Sequence, residues 1–137
     1  MQLAEPPSVT MITPAQRQFL AITPQLLMTD LVGLTGAQMD RHIKEELEGK
    51  WMTIAAPVAD VVKTGQNLFV MTLHFASQQP RGTLDAYLEF ASDYAPRIML
   101  IKGGEHMEAR GRIARIRRMG GLTYHQLYLS DCELVKP

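Results

Sequence analysis

The chain has 137 residues, a length that suits one domain of ordinary size and leaves little room for a second. With 46% hydrophobic and 20% charged residues it can bury a sizeable core, which argues against wholesale disorder. Its 14 basic and 14 acidic residues give a formal net charge of zero, which excludes a polybasic protein that coats nucleic acid by bulk charge, and its single cysteine excludes an internal disulfide framework.

Residues 1–12 are expected to form a flexible lead-in. They contain Pro6, Pro7 and the acidic Glu5, and they lack both the basic start and the apolar stretch of a secretory signal. No apolar run in the sequence approaches the roughly 20 residues that span a bilayer. We therefore expect a cytoplasmic protein with no membrane partner.

Residues 13–48 are predicted to form an N-terminal helical segment of two or three short α-helices packed on the rest of the chain. The Thr-Pro pairs that begin at Thr13 and Thr23 are typical helix starts, with threonine as the N-cap and proline at the first helical position. Thr35 opens a further helix, because Gln38 stands at the right spacing to complete a capping box. The apolar residues of that helix recur every four residues, at Met39, Ile43 and Leu47.

Residues 49–137 alternate between apolar and polar side chains with the two-residue period of strands. Five strands are predicted, at 51–62, 68–76, 84–90, 107–118 and 124–135. A turn is expected at 63–67, a polar loop at Ser77–Thr83, a short helix from Ser92 or Asp93 to about Lys102, and a turn at 119–121. Bulges are expected beside Pro57 and near Ala114–Arg115, where the alternation is interrupted.

Three strands, a helix and two further strands follow one another in the order of the OB-fold, a five-stranded Greek-key barrel. Gly111 in the middle of the fourth strand favours this fold, because a barrel corner needs a residue without a Cβ atom. A long first strand interrupted at Pro57 is suited to bend and serve both sheets. The predicted fold is therefore mainly β, with residues 49–137 forming an OB-fold barrel behind two or three short helices.

Four stretches carry a pattern known from one family. They are Gly49–Trp51 with the following Ile54, Val58, Asp60 and Val61; Lys102–Glu105; Arg110–Ile113; and Leu127–Val135. Together they resemble small bacterial OB-fold proteins of the tRNA-anticodon-binding-like group, many of which have no assigned role. The resemblance spans roughly residues 23–135 and implies a nucleic-acid-binding OB-fold. The chain departs from the pattern at Ala55–Pro57, where the family has a glycine.

Residues that could carry catalysis or bind metal form no recognisable motif. His42, His74, His106 and His125 are scattered and lack the spacing of metal ligands. Cys132 stands between Asp131 and Glu133, two acidic neighbours that raise the pKa of a thiol, so a catalytic thiolate is not expected. We therefore predict no catalytic residues, no metal and no cofactor, and a protein that is not an enzyme.

Charge is distributed unevenly along the chain. Residues 97–118 contain seven basic and two acidic residues, a net charge of +5, so the rest of the chain carries −5. Arginines at alternate strand positions share one face and can follow a phosphate backbone, while nearby tyrosines can stack on bases. The candidate nucleic-acid-binding residues are Arg110, Arg112, Arg115, Arg117, Arg118, Tyr87, Tyr124 and Tyr128.

Two functions from different classes remain open at this point. The first is a non-enzymatic module that binds single-stranded DNA or RNA through the basic fourth strand and the hairpin after it. The second is a protein–protein interaction or homo-oligomeric assembly module that uses the N-terminal helices and has no nucleic-acid ligand. Arginines on an exposed strand are also compatible with an ordinary solvated face, neutralised by cross-strand partners such as Glu89 or Glu133.

Overall fold

A computed structural model describes residues 17–64, 68–78, 81–119 and 123–135 of the protein. Its helices are α1 (Pro24–Val32), α2 (Gly36–His42) and α3 (Ala95–Ile98), and its strands are β1 (Trp51–Thr64), β2 (Leu68–Gln78), β3 (Arg81–Ala91), β4 (His106–Met119) and β5 (Tyr124–Leu134). The predicted lead-in at 1–12, the helix start at Thr13 and the centres of the two predicted turns lie outside the described residues.

The two N-terminal helices begin at the predicted caps. The Thr23 hydroxyl accepts a hydrogen bond from the backbone N–H of Leu26 at 3.2 Å, and Thr35 and Gln38 form the reciprocal capping box. α2 continues into a π-helical turn at Ile43–Leu47. The buried side chains of this segment pack into the barrel core, and they are Leu27, Met28, Leu31, Met39, Ile43 and Leu47.

The described residues before α1 include no helix, so the helix predicted to start at Thr13 does not continue through residues 17–23. Phe19 forms a parallel β-bridge with Trp51. The Leu20 N–H donates to the Trp51 carbonyl at 2.8 Å, and the Trp51 N–H donates to the Gln18 carbonyl at 2.9 Å. The extended form prevails because it pairs backbone groups at the start of β1 that point away from β4, and unpaired groups of that kind are costly.

The five strands close into a barrel in the order β1-β2-β3-β5-β4, which confirms the predicted OB-like fold. All neighbouring strands are antiparallel except β3 and β5, which are parallel. β1 pairs with β4 as far as Pro57 and with β2 from Val58 onward. A bulge between Val58 and Asp60 accompanies this change of partner, close to the position where Pro57 predicted an interruption.

Two of the predicted connections are shorter in the structure. The loop predicted at Ser77–Thr83 is wrong, because the β2–β3 ladder continues through Ser77–Gly82 to Gln78–Arg81. The sequence pattern missed this extension because polar side chains there can face outward while their backbone groups stay paired in the ladder.

The helix between β3 and β4 was predicted to reach about Lys102, but α3 ends at Ile98. A 3₁₀ turn at Ser92–Tyr94 precedes it, and neither that turn nor α3 has a side-chain cap. Ile98 is the one α3 residue that is buried, so a longer helix would gain little apolar burial.

At Gly111 of β4 there is no room for a side chain beside β5. A Cβ atom at Gly111 would stand 2.5 Å from Sγ of Cys132 and 3.1 Å from Cβ of Leu129. The β4–β5 register shifts at Gly111, between Arg110 and Arg112, and again between Ile113 and Arg115. The second shift confirms the bulge predicted near Ala114–Arg115, and the close approach explains why this position in the strand is a glycine.

Replacing Gly111 by alanine is expected to lower the free energy of unfolding by about 1–3 kcal/mol, because the added methyl group overlaps the Cys132 side chain. Urea denaturation measures the change. Gly36→Ala is the control, since no atom lies within 4 Å of its added Cβ. In the background of Cys132→Ala the cost of Gly111→Ala should shrink, and equal costs in both backgrounds would contradict the proposed overlap.

Candidate nucleic-acid interface

An aromatic row crosses the outer face of the barrel. The register places Tyr87 of β3 beside Tyr128 of β5, and Tyr128 beside Arg115 of β4. The two rings are stacked, with centroids 5.2 Å apart and planes inclined by 21°. The Arg115 guanidinium carbon lies 4.8 Å from the Tyr128 ring centroid, a cation–π contact. We refer to Tyr87, Tyr128 and Arg115 as the aromatic row.

A polar network lies next to the aromatic row and holds its hydroxyl groups. Gln126 is its centre, because its carbonyl accepts from the Tyr128 hydroxyl at 2.8 Å while its amide donates to Tyr124 at 3.2 Å. A longer contact of 3.4 Å joins the same amide to the Tyr87 hydroxyl. The three tyrosine hydroxyls therefore bond within the protein, and the rings are held in place for stacking.

Asp85 ends this network on β3. Its carboxylate accepts from the Tyr124 hydroxyl at 2.8 Å, and its second oxygen lies 2.6 Å from Nδ1 of His74. The hydrogen bond from Gln126 lowers the pKa of Tyr124, but the bond to Asp85 and burial together outweigh it and raise that pKa to about 12. Tyr124 is thus a neutral hydrogen-bond donor that positions Asp85 and Gln126.

A shallow hollow of about 410 Å³ adjoins the aromatic row, within the range of sites for small ligands. Residues of four strands line it, and they are Val70, Tyr87, Glu89, Ala114, Arg115, Tyr128, Leu129 and Ser130. We refer to it below as the hollow. Two tyrosine rings, an arginine and a carboxylate therefore surround one depression on the sheet surface.

The predicted arginines separate into three groups in the structure. Arg115 and Arg117 are exposed, and among the described residues Arg117 makes no ion pair or side-chain hydrogen bond. Arg110 and Arg112 have acidic partners on β5, Glu133 at 2.8 Å and Asp131 at 3.1 Å. Both arginines are therefore paired with carboxylates of β5.

Glu133 has a second, more buried partner. Arg17 forms a bidentate pair with it at 2.9 and 3.0 Å, and the guanidinium carbon of Arg17 lies 3.9 Å from the centroid of the Trp51 ring. The hydrogen bonds from Arg17 and from Arg110 lower the pKa of the Glu133 carboxyl, against the opposing effect of burial. The pair therefore anchors the extended residues before α1 to the barrel.

Arg118 points away from the other candidates and toward α1. Its guanidinium donates to the carbonyls of Leu31 at 2.6 Å and Leu34 at 2.9 Å, and to Nε2 of His125 at 3.2 Å. The carbonyls at a helix C-terminus have no partners within the helix, and a cation there is favourable. Arg118 therefore fixes α1 to the barrel.

Cys132 and His125 are buried. Burial is the main cause that raises the pKa of the Cys132 thiol, while the acidic neighbours considered in the sequence contribute less. Burial, assisted by the charge of Arg118, lowers the pKa of His125 to about 4. Among the described residues, no group of three or more His, Cys, Asp or Glu side chains is arranged to hold a metal ion.

The sequence indicated the tyrosines and arginines of this surface but missed His74, Asp85 and Gln126, which complete it. Outward alternation along β2, β3 and β5 was the available signal, because these three residues have the parity of the tyrosines. Which of them meet across the sheet depends on strand register.

Along the described stretches, no helix is both long and apolar enough to cross a membrane.

Comparison with solved structures finds proteins that resemble this chain at low sequence identity. A "putative nucleic acid-binding lipoprotein" from Klebsiella pneumoniae aligns over 89% of this chain and 94% of its own, with 16% identity and a TM-score of 0.54. The aspartyl-tRNA synthetase of Entamoeba histolytica aligns over 96% of this chain and 28% of its own, with 15% identity and a TM-score of 0.45. The sequence matches no family model and no curated protein. The resemblance to OB-fold proteins is confirmed for the fold.

Arg118→Met is expected to destabilise the protein by about 2 kcal/mol, because it removes the guanidinium that binds the carbonyls of Leu31, in the last turn of α1, and of Leu34, just after that helix. Arg117→Met is the matched control. Arg117 directly precedes Arg118, its side chain is exposed, and the substitution removes the same charge. Urea denaturation of both variants measures the difference. Equal midpoints would contradict the role of Arg118 at α1.

Lowering the pH should destabilise the fold through His125. The folded protein keeps this imidazole neutral down to about pH 4, whereas the unfolded chain protonates it near 6.5. The contribution of neutral His125 to the free energy of unfolding should therefore be fully present above pH 6.5. It should fall as the pH drops toward 4, by an amount on the order of 3 kcal/mol. Denaturation midpoints measured across this range test the prediction.

The matched variant is His125→Gln, which keeps an acceptor for Arg118 and does not titrate. Its stability should change less than that of the wild type between pH 6.5 and 4.5. The comparison stops there, because the lowered pKa of Glu133 makes the folded state lose further stability as the pH falls below 4.5. Parallel pH profiles for the two proteins would show that His125 is not the titrating group.

Proposed function

We propose that this protein is a non-enzymatic module that binds single-stranded nucleic acid across the outer face of β2, β3, β5 and β4. The observation that carries the proposal is the aromatic row, in which two stacked tyrosines end at an arginine on an accessible sheet surface. Aromatic rings on such a surface stack with unpaired bases, and this stacking contributes about 1–3 kcal/mol per base.

Two arginines lie where a phosphate backbone would pass. Arg115 and Arg117 occupy alternate positions of β4, beside Tyr128 and Gln126 on β5, and both are exposed. Each phosphate contact releases counterions and therefore adds affinity that falls as salt increases. Arg110 and Arg112 lie farther along β4 and would have to leave Glu133 and Asp131 to bind phosphate, so we assign them a smaller share.

Single strands are favoured over duplexes by the chemistry of the aromatic row. Bases within a duplex already stack on one another and do not offer their faces to a protein surface. The tyrosine hydroxyls are engaged by Gln126 and Asp85, so the rings contribute through their faces rather than by reading base edges. The Klebsiella protein of similar fold is described as a "putative nucleic acid-binding lipoprotein", which agrees with this proposal.

A role without catalysis is part of the proposal. Two described groups of the kind that perform acid–base or nucleophilic chemistry are poorly placed for it: Asp85 is hydrogen-bonded to two partners, and Cys132 is buried with a raised pKa. We likewise propose a cytoplasmic location, which rests on the sequence alone.

Arg115→Ala and Tyr87→Ala should each weaken binding of a labelled ten-nucleotide single strand about tenfold at low salt, because each removes part of the aromatic row. Fluorescence anisotropy titrations measure the dissociation constants. Arg117→Ala should also reduce the slope of log K against log salt by about 0.7, the value expected for one phosphate contact on a single strand.

Arg41→Ala is the matched control, because Arg41 is an exposed arginine of α2 and stands apart from the sheet face. It changes net charge by the same amount and should leave affinity within about twofold, since surface charges away from a site act weakly through salt. An Arg115→Ala variant that binds as well as Arg41→Ala would remove the proposed interface. Failure of the wild type to bind at low salt would remove the function itself.

A further inference from the structure

The hollow beside the aromatic row contains a feature that phosphate binding does not explain. Glu89 stands two residues after Tyr87 on β3 and so shares its face of the sheet. It is exposed, it lines the hollow, and within the described residues it has no ion pair and no side-chain hydrogen bond. A carboxylate at this place repels a phosphate backbone, so its contribution to binding must be of another kind.

Ser130 offers a second unpaired polar group in the same hollow. The last paired residues of β3 and β5 are Leu88 and Leu129, so Glu89 and Ser130 follow them side by side. The residue is half-buried, but its hydroxyl oxygen is out of contact with solvent and has no hydrogen-bond partner, so it loses no bond when the side chain rotates to turn it toward the hollow. A buried hydroxyl without a partner is costly, and a ligand that supplies the bond recovers that cost.

The other walls of the hollow suit the flat, largely apolar body of a base. Val70, Ala114 and Leu129 contribute apolar surface, and the two tyrosines contribute aromatic surface. Its volume of about 410 Å³ is ample for one nucleobase. Apart from Arg115, which stacks on Tyr128 in the aromatic row, the hollow therefore combines an apolar lining with one strong acceptor and one hydroxyl, the arrangement that fixes the orientation of a small planar ligand.

We propose that the hollow holds one nucleobase of the bound strand, and that Glu89 and Ser130 make it select cytosine over uracil. This inference rests on the proposed function and adds base selection to it. Glu89 accepts a hydrogen bond from the exocyclic amino group of cytosine. With its hydroxyl turned toward the hollow, Ser130 donates a hydrogen bond to the adjacent ring nitrogen, which is an acceptor in cytosine.

The selection follows from the donor and acceptor pattern of the two bases. An ionised carboxylate only accepts hydrogen bonds, so it pairs with the N4 amino group of cytosine and repels the O4 carbonyl oxygen at the same position of uracil. The ring nitrogen N3 also changes, from an acceptor in cytosine to a donor in uracil. The two bases are otherwise nearly equal in size and shape, which makes them a sharp pair for a test.

The experiment compares oligo(dC) and oligo(dU) of ten nucleotides at low salt and pH 7.5, by anisotropy titration of the full chain. The wild type should bind oligo(dC) about tenfold more tightly than oligo(dU), at the lower end of the discrimination seen for well-placed base contacts. Glu89→Gln should bring this ratio to within twofold of one, because the amide can donate to the uracil carbonyl as well as accept from the cytosine amine.

The matched control is Glu46→Gln, an exposed glutamate in the π-helical turn after α2 that lies outside the hollow. It removes the same charge and should leave the ratio of the two affinities as in the wild type. Ser130→Ala should lower the affinity for oligo(dC) severalfold while affecting oligo(dU) less.

The outcomes separate base selection from nucleic-acid binding itself. If the wild type binds both oligonucleotides equally, or if Glu89→Gln keeps the preference for oligo(dC), the assignment of Glu89 is overturned and the proposed function stands. If neither oligonucleotide binds, both are overturned. A preference lost in Glu89→Gln and kept in Glu46→Gln supports the site.

Discussion

The parallel pairing of β3 with β5 is the constraint on which the rest of this molecule depends. It is the pairing that sets Tyr87 beside Tyr128, although these residues are far apart in the chain. It also brings Glu89 next to Ser130, where the ladder ends. Parallel neighbours need a long crossover connection, and here that connection is α3 together with all of β4. The same strand pairing therefore both helps to close the barrel and brings together the residues of the outer surface.

Bulges then decide which side chains join that surface. The register shift between Ile113 and Arg115 places Arg115, rather than Ala114, opposite Tyr128. A one-residue change in register would exchange the inner and outer faces of this part of the strand. The close approach at Gly111 is a part of the same irregular ladder, since β4 and β5 shift there as well. The strand that carries the basic residues thus also takes part in two register shifts.

The partners of each charged side chain depend on these placements. The net charge of zero is the sum of +5 in residues 97–118 and −5 in the rest of the chain. Within residues 97–118, the structure separates the arginines according to their partners. Arg110 and Arg112 pair with carboxylates of β5, Arg118 binds carbonyls in the last turn of α1 and just after it, and Arg115 and Arg117 remain on the outer surface. A row of arginines that looks uniform in the sequence therefore performs three different tasks.

Local patterns predicted much of the architecture. The capping residues at Thr23 and Thr35 specify helix starts through hydrogen bonds between near neighbours in the chain, and the alternation of apolar residues specifies strands. These signals failed where local preference yielded to a distant partner. Residues before α1 became extended to pair with Trp51, and Ser77 stayed in a ladder although its surroundings are typical of a loop.

By itself, then, the sequence determined the order of elements and the fold class, because these follow from periods of two and about four residues along the chain, and it indicated which tyrosines and arginines were candidates for the site. Only the tertiary structure decided which of those side chains meet. Gln126 binds three tyrosines, and Arg118 leaves its neighbours for α1, because strand register and helix docking set distances that no local pattern contains.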